Sequence, residues 1–463
     1  MGLRSYRSTF QDILFLFLLS SFFLVFYLGN GSLASWDEAV YACISKEIFQ
    51  SGNWLNITLD GKSWSDKPPL AFWATAFFYK LFGLNEFSAR LFSGLCGVGV
   101  VLVTYLFGTR LLNRWVAFLG ALVLLSSSHF IRFTRFGMLD APLTFFLSLA
   151  LYFFWSGREK NRYLIFSGVA IGLALMTKGF AALLIFPIIW LYCWWADELE
   201  VLTRSSYWIG VMVAVAIALP WNLYELFTHR GDFMQNVVIK HLILRTSTPL
   251  DGHVGSYYFY IRTLVNKYHP WVLIGIFSAP YFLFKAIKDR EREIIFLSVW
   301  MFLIFAVITL VRTKLAWYIF PIYPALSLSV GYFLAKMFGE EKVWFVRFMF
   351  LVIMALHVPY SHIFHHDYSR DIKGITPLVR QQTPLPKAIY LYNNHEAPAT
   401  SFYLGLPSEY LDDPSSFSAR AVREKEFYCL IYEKDLAPVR AEAARLGLVE
   451  SGAFGNLKLL KKS

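Results

Sequence analysis

The stretch QDILFLFLLSSFFLVFYLGNGSLASWDEAVYA, residues 11–42, decides how the chain is read. Its first part, residues 11–29, is apolar and close to the roughly 17–25 residues that cross a bilayer as a helix. Trp36, Asp37 and Glu38 follow at once. An aromatic residue and two adjacent carboxylates, where a chain leaves a membrane, point to chemistry at the bilayer surface. Arg4 and Arg7 precede the apolar run, as in a signal peptide, but no small-x-small cleavage site clearly follows. The segment reads as a retained first helix.

The composition agrees. Of 463 residues, 57% are hydrophobic and 19% aromatic, and only 16% are charged. A soluble chain carries about 25% charged residues. The net charge of +11 does not indicate nucleic-acid binding, because the basic residues are scattered between apolar segments. Orientation signals and contacts with anionic lipid or phosphate explain them better. Cys43, Cys96, Cys193 and Cys429 form no CxxC pair, which argues against a disulfide framework.

Hydropathy marks about eleven spans, near 11–29, 88–109, 115–131, 138–156, 163–177, 180–195, 206–226, 270–287, 294–311, 316–335 and 343–360. With the N-terminus in the cytoplasm, the short cytoplasmic connectors carry Arg110 and Arg114; Arg158, Lys160 and Arg162; Arg204; Lys285, Lys288, Arg290 and Arg292; and Lys336, Lys342 and Arg347. That is the pattern of the positive-inside rule. The other side receives the long loops 30–87 and 227–269 and the tail. The expected organisation is a transmembrane domain, 1–361, and a small periplasmic α/β domain, 362–463. The fold class is an all-α polytopic membrane protein with a small C-terminal soluble α/β domain. In the first loop, Val40, Ile44 and Ile48 share one face of a short amphipathic helix over 39–49. In the tail, 388–392 and 427–432 read as buried strands, and 435–446 as a helix capped by Asp435.

Charged groups at membrane depth are functional candidates. The outer ends of the spans gather Asp37, Glu38, Arg132, Arg135, Asp140, Lys178, His241, Arg245, Arg312 and Lys314, with Asp66 and Lys67 in the first loop. Asp37 and Glu38 either begin the following helix as favourable N-terminal acids or serve a reaction, Asp37 as the base for an attacking hydroxyl. Lys67 precedes Pro68 and Pro69, which make either a stiff interfacial turn or a rigid mount for a cation facing a phosphate. Arg132 and Arg135 share a helical face, for headgroup anchoring or phosphate. Asp140 is either their ion-pair partner or a second acid. Lys178, Arg312 and Lys314 either snorkel or hold a phosphate. His241, with Asp66 or Glu38, is a weak metal candidate, since no ligand spacing demands it. His362, His365, His366 and Asp367 read as a solvated linker.

These residues carry a resemblance. Residues 36–42 are similar to the Asp-Glu-x-x-Tyr-Ala element of the GT-C class of membrane glycosyltransferases, among them the aminoarabinose–lipid A transferases and the protein O-mannosyltransferases. Gly52-Asn53-Trp54, Lys67-Pro68-Pro69-Leu70, the stretch 82–91, Arg135 with Asp140, His241 with Tyr257-Tyr258 and Pro270-Trp271, and Thr313-Lys314-Leu315 with Tyr318 and Pro321 extend it over roughly 30–325. The resemblance implies inverting transfer of a sugar from a polyprenyl-phosphate donor to lipid A, another glycolipid or another cell-envelope acceptor. It places the site at the periplasmic face of a bacterial inner membrane. Asp37 is the main acid, supported by Asp140 and Glu38. Lys67 holds the donor phosphate, helped by Arg135, Arg132, Lys178, Arg312 or Lys314. No cofactor is required, because cations can stabilise a phosphate leaving group; a divalent metal on Asp66 and His241 stays open, as relatives can bind one. A monomer is expected, with membrane lipids around it. Departures are the eleven spans against thirteen in the aminoarabinose enzymes, the smaller tail, and a His241–Arg245 spacing one residue longer than usual. The rival readings are a peptide-directed O-mannosyltransferase, a lipid-linked sugar transporter or flippase, and an inactive scaffold. Neither the inverted repeats nor the mid-membrane helix breaks of transporters are found in the sequence.

Overall fold

The computed structural model describes residues 3–235, 239, 244, 254–360, 367–383, 385–394 and 396–462. By its internal contacts the chain divides into two compact units: Met1–Leu28, Trp64–Ala74 and Arg90–Ile363 in one, and Gly29–Ser63, Thr75–Ala89 and Phe364–Ser463 in the other. The expected boundary at 361/362 does not separate the first loop from the tail. Most of that loop belongs to the same unit as the C-terminal domain.

The first unit is helical. Five helices among the described residues are long and apolar enough to cross a membrane: Glu86–Leu111, the continuous stretch Arg162–Trp195, Ser205–Thr228, Arg292–Leu310 and Ala316–Met337. A sixth is a broken pair, Arg114–Leu125 and Ser128–Thr134, bent by 64°. Eleven spans are therefore not recovered by length and hydropathy. The segments expected at 163–177 and 180–195 run on as one helical stretch. The apolar part of the first helix is only Thr9–Leu24, because the chain leaves helical geometry before Tyr27, whose φ is +57°. The bend at Ser126–Ser127 has a local cause, since the Ser126 hydroxyl donates back to Leu122 O and also accepts from Trp271 Nε1 at 2.8 Å.

Helix Arg162–Lys178 packs between Asp140–Gly157 and Ser205–Thr228. Two glycines set the second contact, for a Cβ on Gly168 would lie 2.0 Å from Gly210 O. Without a hydrophobic drive between helices in lipid, such close backbone approach is the main source of packing energy. Buried acids tie other helices together. Asp12 is 1% exposed, forms an ion pair with Arg114 Nε at 2.8 Å, and accepts from Arg347 Nη2 at 3.1 Å and the Tyr105 hydroxyl at 3.0 Å. Glu198 pairs with Arg158 and Arg292. These arginines, read from the sequence as orientation charges, also lock helices.

The second unit centres on a five-stranded sheet in the order β4-β3-β5-β7-β6, with β3 (Ile389–Tyr392), β4 (Ser408–Leu411), β5 (Tyr428–Tyr432), β6 (Leu448–Phe454) and β7 (Leu457–Lys462). β3 runs parallel to β4 and β5, while β5, β7 and β6 are antiparallel. β3 and β5 fall within the expected strands. The expected helix 435–446 is broken into a 3₁₀ turn, Ala437–Val439, and a helix, Arg440–Arg445. Pro438 offers no N–H to continue one helix, and Asp435 accepts from Asn393 Nδ2 instead of capping it.

The first loop contributes helix Asp37–Ser51 and a hairpin, β1 (Thr58–Leu59) with β2 (Lys62–Ser63). Asp60 and Gly61 both take positive φ, the geometry of a type I′ turn. Glu47 fastens the hairpin to the helix through the Thr58 hydroxyl and Asp60 N. All four cysteines are buried and free.

Candidate active site

In the first unit a cavity of about 440 Å³ collects Ser65, Asp66, Lys67, Asp140, Lys178, Asn222 and Tyr318. The rest of its wall is mainly apolar, from Leu143, Leu175 and Leu183 to Ile304, Val307, Ile308 and Val311. A charged end on an apolar trough is the complement of an anionic lipid.

Local structure puts the charges there. Pro68 and Pro69 lead into helix Leu70–Phe82, where proline is tolerated because helix-starting N–H groups are unpaired anyway. The Trp64 ring meets Phe72 edge-on at 5.5 Å and clamps the intervening Ser65-Asp66-Lys67 turn. Asp140 is the first residue of its helix and Lys178 the last of the neighbouring one. Each therefore sits at the helix end whose dipole favours its sign. Lys178 Nζ lies 2.6 Å from Asp140 Oδ1, and the two side chains are 10% and 5% exposed. The ammonium also stands 5.3 Å from the centre of the Tyr318 ring. Gly179, at φ +56° and ψ −126°, directly follows Lys178 in a backbone region that essentially only glycine occupies.

Two expected phosphate ligands have other work. Arg135 is 1% exposed, and its guanidinium donates to Phe23 O, Phe26 O and Tyr27 O at 2.8–3.1 Å. It caps the end of the first helix. Lys314 is 5% exposed and donates to Ile308 O at 3.0 Å and Thr309 O, closing the last turn of Arg292–Leu310. Orphan carbonyls at a helix end attract cations as a phosphate would, so both readings fit the same sequence. Arg132 and Arg312 are exposed and do not line the cavity.

Asp37 and Glu38 belong to the second unit. Asp37 is the half-buried first residue of its helix. Glu38 is 2% exposed and accepts from Ala34 N at 2.7 Å, so it fastens the turn into the helix. His241 and Arg245 lie outside the described residues, as do His362, His365 and His366. Asp367 accepts from Ser32 N at 3.1 Å and is a structural anchor. Among the described residues no group of three or more His, Cys, Asp and Glu side chains is arranged for a metal. Asp66 shares its cavity with two lysines, a poor donor set for a cation.

Asn222 and Trp221 also line the cavity and were not singled out from the sequence. Their signal was an amide following Pro220 inside an apolar span. Glu225, three residues on, is 1% exposed.

A family model described as dolichyl-phosphate-mannose-protein mannosyltransferase matches residues 66–224. An undecaprenyl phosphate-alpha-4-amino-4-deoxy-L-arabinose arabinosyl transferase of Pseudomonas fluorescens is 32% identical over 71% of this chain and 57% of its own length. The chain thus spans little more than half of that relative. A protein of Aquifex aeolicus with no assigned activity is 28% identical over 79% of this chain and 72% of its own. Among solved structures, ArnT from Cupriavidus metallidurans bound to undecaprenyl phosphate superposes with a TM-score of 0.80, at 19% identity, covering 97% of this chain and 98% of that one. The fold is shared along both chains.

Proposed function

We propose that this multi-pass membrane protein, of the GT-C type to which the aminoarabinose transferases and protein mannosyltransferases belong, transfers a sugar from a polyprenyl-phosphate donor to a lipid A, glycolipid or other envelope acceptor at the periplasmic face. The carrying observation is the cavity that joins Lys67 and Lys178 to an apolar trough. The prenyl chain lies along the aliphatic wall and the phosphate meets the two ammonium groups. An acceptor hydroxyl attacks the anomeric carbon from the side opposite the phosphate. Its proton passes to the Asp37 carboxylate, the C–O bond to phosphate breaks, and the lipid phosphate leaves with its added charge facing the lysines. Asp37 holds this role on the strength of its motif. Asp140 orients Lys178. Neither Arg135 nor Lys314 takes part.

The matching family model favours a second reading, in which the acceptor is a protein hydroxyl. Mass spectrometry of lipid A, glycolipids and glycoproteins from cells with and without the gene separates the two. A sugar missing from lipid A or a glycolipid supports the first, and one missing from protein supports the second. Unchanged glycans with altered solute uptake would overturn both and leave a transporter. Asp37→Asn and Lys67→Ala are expected to abolish transfer in a folded protein.

A further inference from the structure

We propose that Lys46 is a positioning residue that holds the Asp37 helix on the C-terminal domain, so that this domain forms part of the catalytic apparatus. The inference rests on the role given to Asp37 above, and every contact it uses lies within the second unit.

Lys46 stands nine residues after Asp37 on the same helix and is 8% exposed. Its ammonium donates to Ser401 O at 3.1 Å and Phe402 O at 2.9 Å. These carbonyls belong to the closing turn of helix Ala397–Leu404, where a cation is favoured by the helix dipole. Gly405 ends that helix with φ +72°. Burial is the main reason the ammonium is pushed below the ordinary lysine range. An expensive buried cation is kept where an apolar residue would pack more cheaply, which suggests that it fixes geometry.

The same helix is joined to the C-terminal domain by packing. Ala39, Ala42 and Cys43 bury against Ala399 and Phe402. The turn leading into Asp37 is fastened as well: Leu33 N donates to the Tyr403 hydroxyl at 2.8 Å, and the Ser35 and Ser369 hydroxyls share a hydrogen bond of 2.7 Å. With its approach and its ninth following residue both held, the first helical residue has little freedom. A reacting carboxylate gains from that, since a displacement of about 1 Å can cost 10²-fold in rate.

The test compares Lys46→Met and Lys46→Arg in the full-length protein, by steady-state transfer and by amide hydrogen exchange over residues 33–45. The Met variant is expected to lower kcat about 10-fold or more with the donor KM within about twofold, and to speed exchange in the Asp37 helix. The Arg variant, which can still reach two carbonyls, should restore both. A folded Lys46→Met protein with parental kcat and exchange overturns the proposal, and so does a rise in donor KM alone. If Lys46→Met does not fold, Tyr403→Phe, which removes the acceptor for Leu33 N, is read by the same two measurements. Asp37→Asn runs alongside. Full activity there overturns the role of Asp37, while the exchange data still judge whether Lys46 holds the helix.

Discussion

Replacing Asp140 by Asn tests the cavity most directly. The Asp140–Lys178 pair is 2.6 Å long and nearly enclosed. Removing one partner of a buried pair costs about 3–5 kcal/mol, mainly because the other charge is left uncompensated. Asn keeps the shape and one acceptor oxygen, so the low end, about 3 kcal/mol, applies. At ~2 cal/mol/K of unfolding entropy per residue, 463 residues give about 1 kcal/mol/K, and Tm should fall by about 3 °C. The informative measurement is what undecaprenyl phosphate does to that loss. At a hundred times its Kd a ligand stabilises by about 2.7 kcal/mol. On the proposed reading, the phosphate in the parent shares Lys178 with Asp140. In Asp140→Asn the ammonium has lost that carboxylate, so the phosphate returns part of the lost stability. The lipid-induced rise in Tm should exceed the parent's by about 1–2 °C. In Lys178→Met it should be smaller than the parent's. The assay is a thermal melt of the detergent-solubilised protein over a lipid titration. Equal lipid-induced shifts in all three proteins would refute the assignment of Lys178 to the phosphate.

The two helix-capping cations give the opposite signature: Arg135→Met and Lys314→Met should each lower stability by about 2–4 kcal/mol, from lost charge-assisted bonds and stranded carbonyls, with the donor KM within about threefold of the parent. A tenfold rise in KM without loss of stability would return either residue to the phosphate site. Gly179→Ala should cost about 1–3 kcal/mol from its backbone geometry and weaken donor binding through a displaced Lys178, read by the same lipid titration. In the C-terminal domain, burial raises the Glu396 carboxyl above its ordinary range, against the bond it accepts from the Tyr432 hydroxyl. The folded state then holds that proton more tightly than the unfolded one. Its stabilising share is full below the unfolded pKa and is lost as pH rises through the folded one. Melts across that interval should fall with pH in the parent, and Glu396→Gln should remove this component.

How much was legible depended on whether a residue's role is set by its neighbours in sequence. Helix Asp37–Ser51 and strands β3 and β5 follow from period and apolar runs, which are local. Asp60-Gly61, a pair that readily takes positive φ, is likewise a local hairpin signal. The break at Pro438 was also written locally, yet an apolar period concealed it. The span count was less legible, because hydropathy windows do not register where a helix bends, as at Ser126, or continues past a helix break, as at Gly179.

The sequence by itself determined the class of molecule and the chemistry at issue. Low charge and long apolar runs require a membrane bundle, and acids with lysines at the ends of spans bring an anionic lipid to mind. Only the tertiary structure decided what each cation faces. Arg135 and Lys178 look alike in sequence, each a basic residue at the end of an apolar helix. One donates to three main-chain carbonyls at and just beyond the end of the first helix and is buried there, while the other pairs with Asp140 in the wall of a cavity. The difference lies in what the fold brings opposite each side chain, across more than a hundred residues in the case of Arg135, and no local pattern encodes it.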